Sequence, residues 1–308
     1  MKRVFVLGAI VLGGGIGAAI VQAQQAPAAP APGRGGGANF PPVSAIEMVA
    51  PSLYMIQGQG GNTAVWVMAN GVALVDTKLA NNGQAILDQV KSVTDKPITT
   101  IINTHTHGDH TGSNQFFPAS VEIVSQENTA ANMKKMPVFQ EAANAHGLPD
   151  KTYKTSMTLF KGKEEVELRY FGAAHTNGDT FVVFKSARAM HAGDAFANKG
   201  QPLLDRNNGG SGVAYPDTLK KAARAIKNVD LVITGHSPLM KWADFVAFGE
   251  FNQLFLDHAR ASLAANKTPE QAMMDFKLPA AFTGYNLGGG RGGPGGNFGI
   301  IFDELKAR

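Results

Sequence analysis

Between positions 103 and 112 the chain reads Asn-Thr-His-Thr-His-Gly-Asp-His-Thr-Gly, so His105, His107, Asp109 and His110 fall within six positions. The chain has 308 residues but only 8 histidines, and three of them in one short stretch is far denser than chance supplies. His105 and His107 are two apart, so in an extended segment they project to one side. Gly108 permits a sharp turn that aims Asp109 and His110 elsewhere, close enough to meet a second ion. Imidazole and carboxylate are ligands that suit zinc, and also iron or manganese.

Four groups are too few to hold two ions, and the chain offers three more, each beside a glycine or at a strand mouth. His175 stands in Gly172-Ala-Ala-His-Thr-Asn-Gly-Asp, Asp194 follows His191-Ala-Gly193, and His236 follows the apolar run Ile233-Thr-Gly235. Singly, each of these is more often a hydrogen-bonded loop residue. Together they complete one ordered set.

That set resembles the metallo-β-lactamase superfamily, whose motif is His-x-His-x-Asp-His followed by His, Asp and His at long spacings. The resemblance spans roughly residues 44–240. It implies an αββα four-layer sandwich of mixed sheets, an α/β (α+β) fold with the metals at one edge. It also implies that His105, His107 and His175 hold a first ion, that Asp109, His110 and His236 hold a second, and that Asp194 bridges both. Asp76, closing Val72-Ala-Leu-Val-Asp, matches a family aspartate that supports the metal loop from behind. Two zinc ions, with iron or manganese as substitutes, would leave room for a bridging hydroxide as nucleophile. Asp109 would be the catalytic carboxylate that orients it and relays a proton. The implied reaction is hydrolysis of an ester, thioester, lactone or amide, with β-lactams among the amides. Two alternatives belong to other classes: a mono-iron redox enzyme similar to persulfide dioxygenases, and a non-catalytic metal-binding module.

Departures from the family narrow the choice. Asp194 stands where one lactamase subclass has cysteine, and this chain has none. Ala195-Phe196-Ala197 follows it where lactonases carry a tyrosine. The segment Gly209-Gly-Ser-Gly212 is similar to one in secreted lactamase-like members, which makes Ser211 or nearby Arg206 a candidate substrate contact.

The elements that must carry these residues alternate between strands and helices. Residues 53–56, 63–68 and 72–76 read as strands, with Asn70-Gly71 as a hairpin turn. Asn82 is a candidate cap for a helix bearing Ile86, Leu87, Val90 and Val93, and Ser125 for one running to about Met136. Residues 98–103, 121–124, 166–171, 181–184 and 231–234 read as further strands. Asp217 is placed at the opening of a helix over 218–227. Helical patterns follow over 243–265 and from Thr268-Pro-Glu-Gln, a capping box with proline in the first turn. His146 and His258 read as ordinary surface or packing residues, and His191 as a neighbour of the site. Trp66, Phe181, Phe251 and Phe255 read as core.

The N-terminus carries Lys2 and Arg3, an apolar run over 4–21 and a small-x-small signal ending at Ala23. Residues 1–23 therefore read as a signal peptide, and the protein as periplasmic or secreted. An Ala/Pro/Gly-rich linker over 24–42 leads to one catalytic-type domain over 43–308. A second glycine-rich tract, 288–296 with Arg291, reads as a surface loop. Zero cysteine excludes disulfide scaffolds, thiolate metal sites and a thiol nucleophile. The net charge of +4 gives no footprint for nucleic acid. The expected partner is a small-molecule substrate, with neither nucleic acid nor membrane, provided the leader is cleaved.

Overall fold

The computed structural model describes residues 40–288 and 295–307. The readings made for 1–23, for 24–39 and for Arg291 with its glycine neighbours fall outside the described residues. One sheet runs in the order β1 (Glu47–Ala50), β2 (Leu53–Ile56), β3 (Thr63–Val67), β4 (Val72–Val75), β5 (Ile98–Asn103), β6 (Glu122–Gln126) and β7 (Lys151–Tyr153). Its pairings are antiparallel from β1 to β4 and parallel from β4 to β7. The second sheet contains β8 (Ser156–Leu159), β9 (Val166–Arg169), β10 (Phe181–Phe184), β11 (Ala189–His191), β12 (Leu231–Ile233) and β13 (Met240–Lys241), adjacent in sequence order. In this sheet only β11 and β12 pair in parallel.

Side-chain alternation explains the layering. Along β4, Ala73 and Val75 enter the core between the sheets, while Val72 and Leu74 enter the core on the outer face. Likewise Val182 and Phe184 of β10 point between the sheets, and Phe181 and Val183 point outward. A strand covered on both faces must be apolar throughout, which is why these runs read as continuous hydrophobic segments. On the first sheet's outer face lies α1 (Gly83–Lys91), through Ile86 and Val90. The second sheet's outer face is covered by α5 (Tyr215–Ala225), α6 (Trp242–Ala264), α7 (Pro269–Asp275) and α8 (Asn297–Lys306). The shorter helices are α2 (Gly108–Thr111), α3 (Glu127–Met133) and α4 (Pro137–Gln140). Helix, sheet, sheet, helix is the four-layer sandwich expected from the sequence.

Helix α6 holds its layer with Phe245, Phe248, Phe251 and Phe255, spaced three or four apart on one face. Phe255 stacks on Phe298 of α8 at 4.0 Å between ring centroids. Each fully buried phenylalanine contributes roughly 2–3 kcal/mol. Among the described residues no helix is long and apolar enough to cross a membrane.

Several boundaries differ from the sequence reading, each for a local reason. Asn82 precedes α1 without capping it, because its amide donates to the carbonyls of Leu79 and Ala80. Ser125 lies inside β6, and the cap of α3 is Gln126, whose side chain accepts from the Asn128 amide. Helix α5 begins at Tyr215, with Pro216 in its first turn, two residues before Asp217.

Candidate metal centre

Strand β5 ends at Asn103, and the next residues turn over the sheet edge. Thr104 is pinned to Asp76 at the end of β4: its amide donates to Oδ1 at 2.8 Å and its hydroxyl to Oδ2 at 2.7 Å. Asp76 sits fully buried at φ 64°, a left-handed conformation unusual for a residue with a side chain. His107 then precedes the single turn of α2, which swings Asp109 and His110 to the other side. His175 comes from the β9–β10 connection, Asp194 from a 3-10 turn after β11, and His236 from the end of β12.

All seven side chains singled out by sequence meet in one place. His105, His107, His175 and Asp194 form one group whose ligand atoms lie within 4.8 Å of one another, and Asp109, His110 and His236 form another. Between the two, Asp194 turns one oxygen each way. Its Oδ1 is 3.2 Å from Nε2 of both His110 and His236, and its Oδ2 is 3.6 Å from His175 and 3.9 Å from His105. His107 Nδ1 and His175 Nε2 are 3.0 Å apart, and Asp109 Oδ2 is 3.3 Å from His236 Nε2. Asp76 also lies near His105 and His110, but its oxygens are taken by Thr104 and by His110 Nδ1 at 2.7 Å.

The outer ring nitrogens fix the tautomers. His105 Nδ1 meets the Thr104 hydroxyl at 3.0 Å, which already donates to Asp76 and so accepts from the ring. His175 Nδ1 donates to the Leu203 carbonyl and His110 Nδ1 to Asp76. His107 Nε2 donates to Asp205 at 2.6 Å. His105 and His175 therefore each turn a lone pair inward, His107 turns its Nδ1 the same way, and His110 turns its Nε2 toward Asp194 Oδ1. His105 Nε2 and Asp194 Oδ1 are buried with no hydrogen-bond partner among the described residues. The unpartnered His105 nitrogen, facing His107, His175 and a shared carboxylate, is costly to bury unless a cation joins them, so the groups fit metal ions.

Charge divides the cluster. Burial, reinforced by His110, holds His105 well below the ordinary imidazole range. Burial also takes His175 down to about 4 despite Asp194. His110 is pushed down by burial, but Asp194, Asp76 and Asp109 outweigh it and hold the ring well above its ordinary value. His236 is raised to about 9 in the same way, by Asp194 and Asp109 against burial. Burial alone would raise Asp109, yet His110 and His236 bring it to about 2.

Sequence reading missed several supports. Asp205 carries no motif, and only its contact with His107 marks it. Lys78 is fully buried, donating to the carbonyls of Ile56 and Gly61 at 2.8 and 2.9 Å, and burial lowers its amine to about 7. It ties down the β2–β3 connection, where Gly61 lies flat on the His110 ring: a Cβ there would come within 2.1 Å of it. Tyr215 donates its hydroxyl to the Asp194 carbonyl at 3.0 Å. His191 donates to the Asn62 carbonyl and accepts from the Gly193 amide, steadying the turn that carries Asp194. His146 and His258 bond only backbone carbonyls, those of Gln115 and Ala272. Ser211 and Arg206, read from sequence as candidate substrate contacts, bond Glu304 and Asp303 of α8.

A family model for the metallo-beta-lactamase superfamily matches residues 58–236. Among solved structures, the DIM-1 metallo-beta-lactamase superposes with a TM-score of 0.58 at 16% identity, covering 70% of this chain and 98% of its own. A metallo-beta-lactamase from Pontibacter korlensis gives 0.58 at 17%, covering 68% of this chain and 99% of its own. The inverting sec-alkylsulfatase Pisa1 from Pseudomonas sp. gives 0.68 at 14%, covering 84% of this chain and 50% of its own, so this chain spans half that protein's length. At such identities the likeness is one of fold.

Proposed function

The chain belongs to the metallo-beta-lactamase superfamily, and from that premise we propose that it is an exported, zinc-dependent hydrolase of esters, thioesters, lactones or amides. Members of this superfamily are mostly hydrolytic metalloenzymes. One observation carries the reading: seven inward-facing ligand atoms in two adjoining groups, with His105 Nε2 and Asp194 Oδ1 buried and unpartnered between them. Zinc bound there would supply a Lewis acid and a water acidic enough to attack near neutral pH.

The protein's own groups do the rest. Asp109 is a carboxylate at neutral pH and stands at the mouth of the cluster, able to accept the proton of an attacking water. The water oxygen bonds the acyl carbon, the acyl–oxygen, acyl–sulfur or acyl–nitrogen bond breaks, and the proton passes from Asp109 to the leaving group. Thr104, Asp76 and Asp205 keep the rings from turning as charge develops. Export rests on the signal-like N-terminus, and a periplasmic or secreted hydrolase is the form in which we propose it.

The test is a panel on zinc-loaded protein, each substrate with and without chelator: an aryl ester, a thioester, a lactone, a β-lactam and an alkyl sulfate. Chelator-sensitive cleavage of an acyl substrate that is lost in Asp109→Asn supports the proposal, and cleavage of the alkyl sulfate alone contradicts it. Cleavage indifferent to chelator, or one iron per chain with oxygen consumption, overturns it.

A further inference from the structure

The mouth of the metal cluster is a recess of about 320 Å³, enough for a small molecule. Its floor is Asp109, Asp194 and His236. The walls are of another kind. Phe40, Pro41 and Leu203 are apolar, and Gln57 and Asn198 are neutral amides. No lysine or arginine lines this recess among the described residues. A second opening, on the other side of Leu203, exposes His107, His175 and the carboxylate of Asp205, again without a cation.

The aromatic wall comes from the end of the stretch that reads as a linker. Phe40 lies over His236, with ring centroids 5.8 Å apart and planes inclined by 24°. The segment is held in place: the Gln59 amide donates to the Pro41 carbonyl at 2.8 Å, and the Gln59 side chain donates to the Phe40 carbonyl. Gly58, at φ +82°, lets this segment approach so closely that a Cβ there would meet the Pro42 carbonyl oxygen at 2.0 Å. Phe40 is therefore fixed beside a candidate metal ligand.

A substrate whose scissile carbonyl sits on the floor must lay its flanking group against these walls. An anionic flanking group would lose water without gaining a cation from the described lining residues, and on the Asp205 side it would meet like charge. A flat apolar group would bury surface against Phe40 and Leu203 while Asn198 remains available to a neutral oxygen. Resting on hydrolysis at this cluster, we infer that the recess selects an uncharged ester or amide with a flat apolar flank, and that Phe40 sets this preference.

Two aryl esters with one phenol leaving group test it, a benzoate and a 4-carboxybenzoate. The benzoate is expected to have a kcat/KM about tenfold higher or more. Phe40→Ala should raise its KM about fivefold or more while kcat stays within about twofold, and Phe40→Trp should restore KM. Zinc content measured on both variants separates this effect from damage to the metal cluster. Equal or better handling of the carboxylated ester, or an unmoved KM in Phe40→Ala, overturns the inference. Calorimetric binding of benzohydroxamate and its 4-carboxy analogue to zinc-loaded protein needs no turnover. If neither ester nor any acyl substrate of the wider panel is cleaved but the neutral hydroxamate binds about tenfold tighter, the hydrolase proposal falls and the recess preference stands. If cleavage occurs with the charged ester favoured, the reverse holds. Binding of neither hydroxamate overturns the preference.

Discussion

His105, His107 and His175 face one another, each tied at its outer nitrogen to a different neighbour: the Thr104 hydroxyl, the Asp205 carboxylate and the Leu203 carbonyl. Across Asp194, His110 and His236 instead crowd against carboxylates that hold them above their ordinary range. Without metal, the second half satisfies itself with protons, whereas the first half is kept in shape only by its outer bonds. A first ion therefore fills a prepared gap, and a second must displace protons. The two halves should differ in stability, affinity and pH response.

The largest effect should come from His110→Ala. It removes a fully buried ring and leaves the equally buried Asp76 without its charged partner. Breaking a buried pair costs about 3–5 kcal/mol. Losing the His105 ring, whose outer partner is a neutral hydroxyl, should cost less, about 1–3 kcal/mol. Chemical denaturation of the metal-free variants ranks the two, and the reverse order would erase the contrast. Next is Asp205→Ala, which frees His107 and also uncaps the turn Arg206–Asn208, whose Asn207 and Asn208 amides bond the same carboxylate. Affinity for the first ion should fall about 10–100-fold, with the second ion little changed, in a chelator-competition titration.

A smaller effect concerns pH. In the metal-free protein His236 is raised to about 9, so at pH 7.5 it carries a proton that a metal ion must expel. Affinity for the second ion should therefore rise with pH through about 9, as His236 and the likewise raised His110 give up protons, while affinity for the first, met by His175 at about 4 and by His105 below its ordinary range, should depend less on pH. Proton release measured calorimetrically in buffers of different ionisation heat checks this. The smallest effect is Arg206→Ala. Its pair with Asp303 is exposed, and we expect neither the denaturation midpoint nor the hydrolytic rate to move measurably.

The candidate ligands were legible because their residue types are rare and their order along the chain is specific. The two-sheet core was legible because strands buried on both faces, such as β4 and β10, must be apolar along their whole length. Strands β7, β8 and β11 were not read: they have three or four residues, too few for even the polar–apolar alternation of Ser-Met-Thr-Leu in β8 to stand out. Helix α8 also went unread, although Phe298, Ile301 and Phe302 keep helical spacing just beyond the glycine tract. Asp205 and Lys78 were invisible for a different reason. Each works through a contact with a residue far along the chain, and neither sits in a pattern that marks it.

Zinc-edge anomalous diffraction from crystals of zinc-reconstituted protein addresses the cluster most directly. Two peaks roughly 3.5–4 Å apart are predicted, one ringed by His105, His107 and His175, the other by Asp109, His110 and His236, with Asp194 between them. No peak among these seven side chains, or one held by ligands elsewhere in the chain, would contradict it.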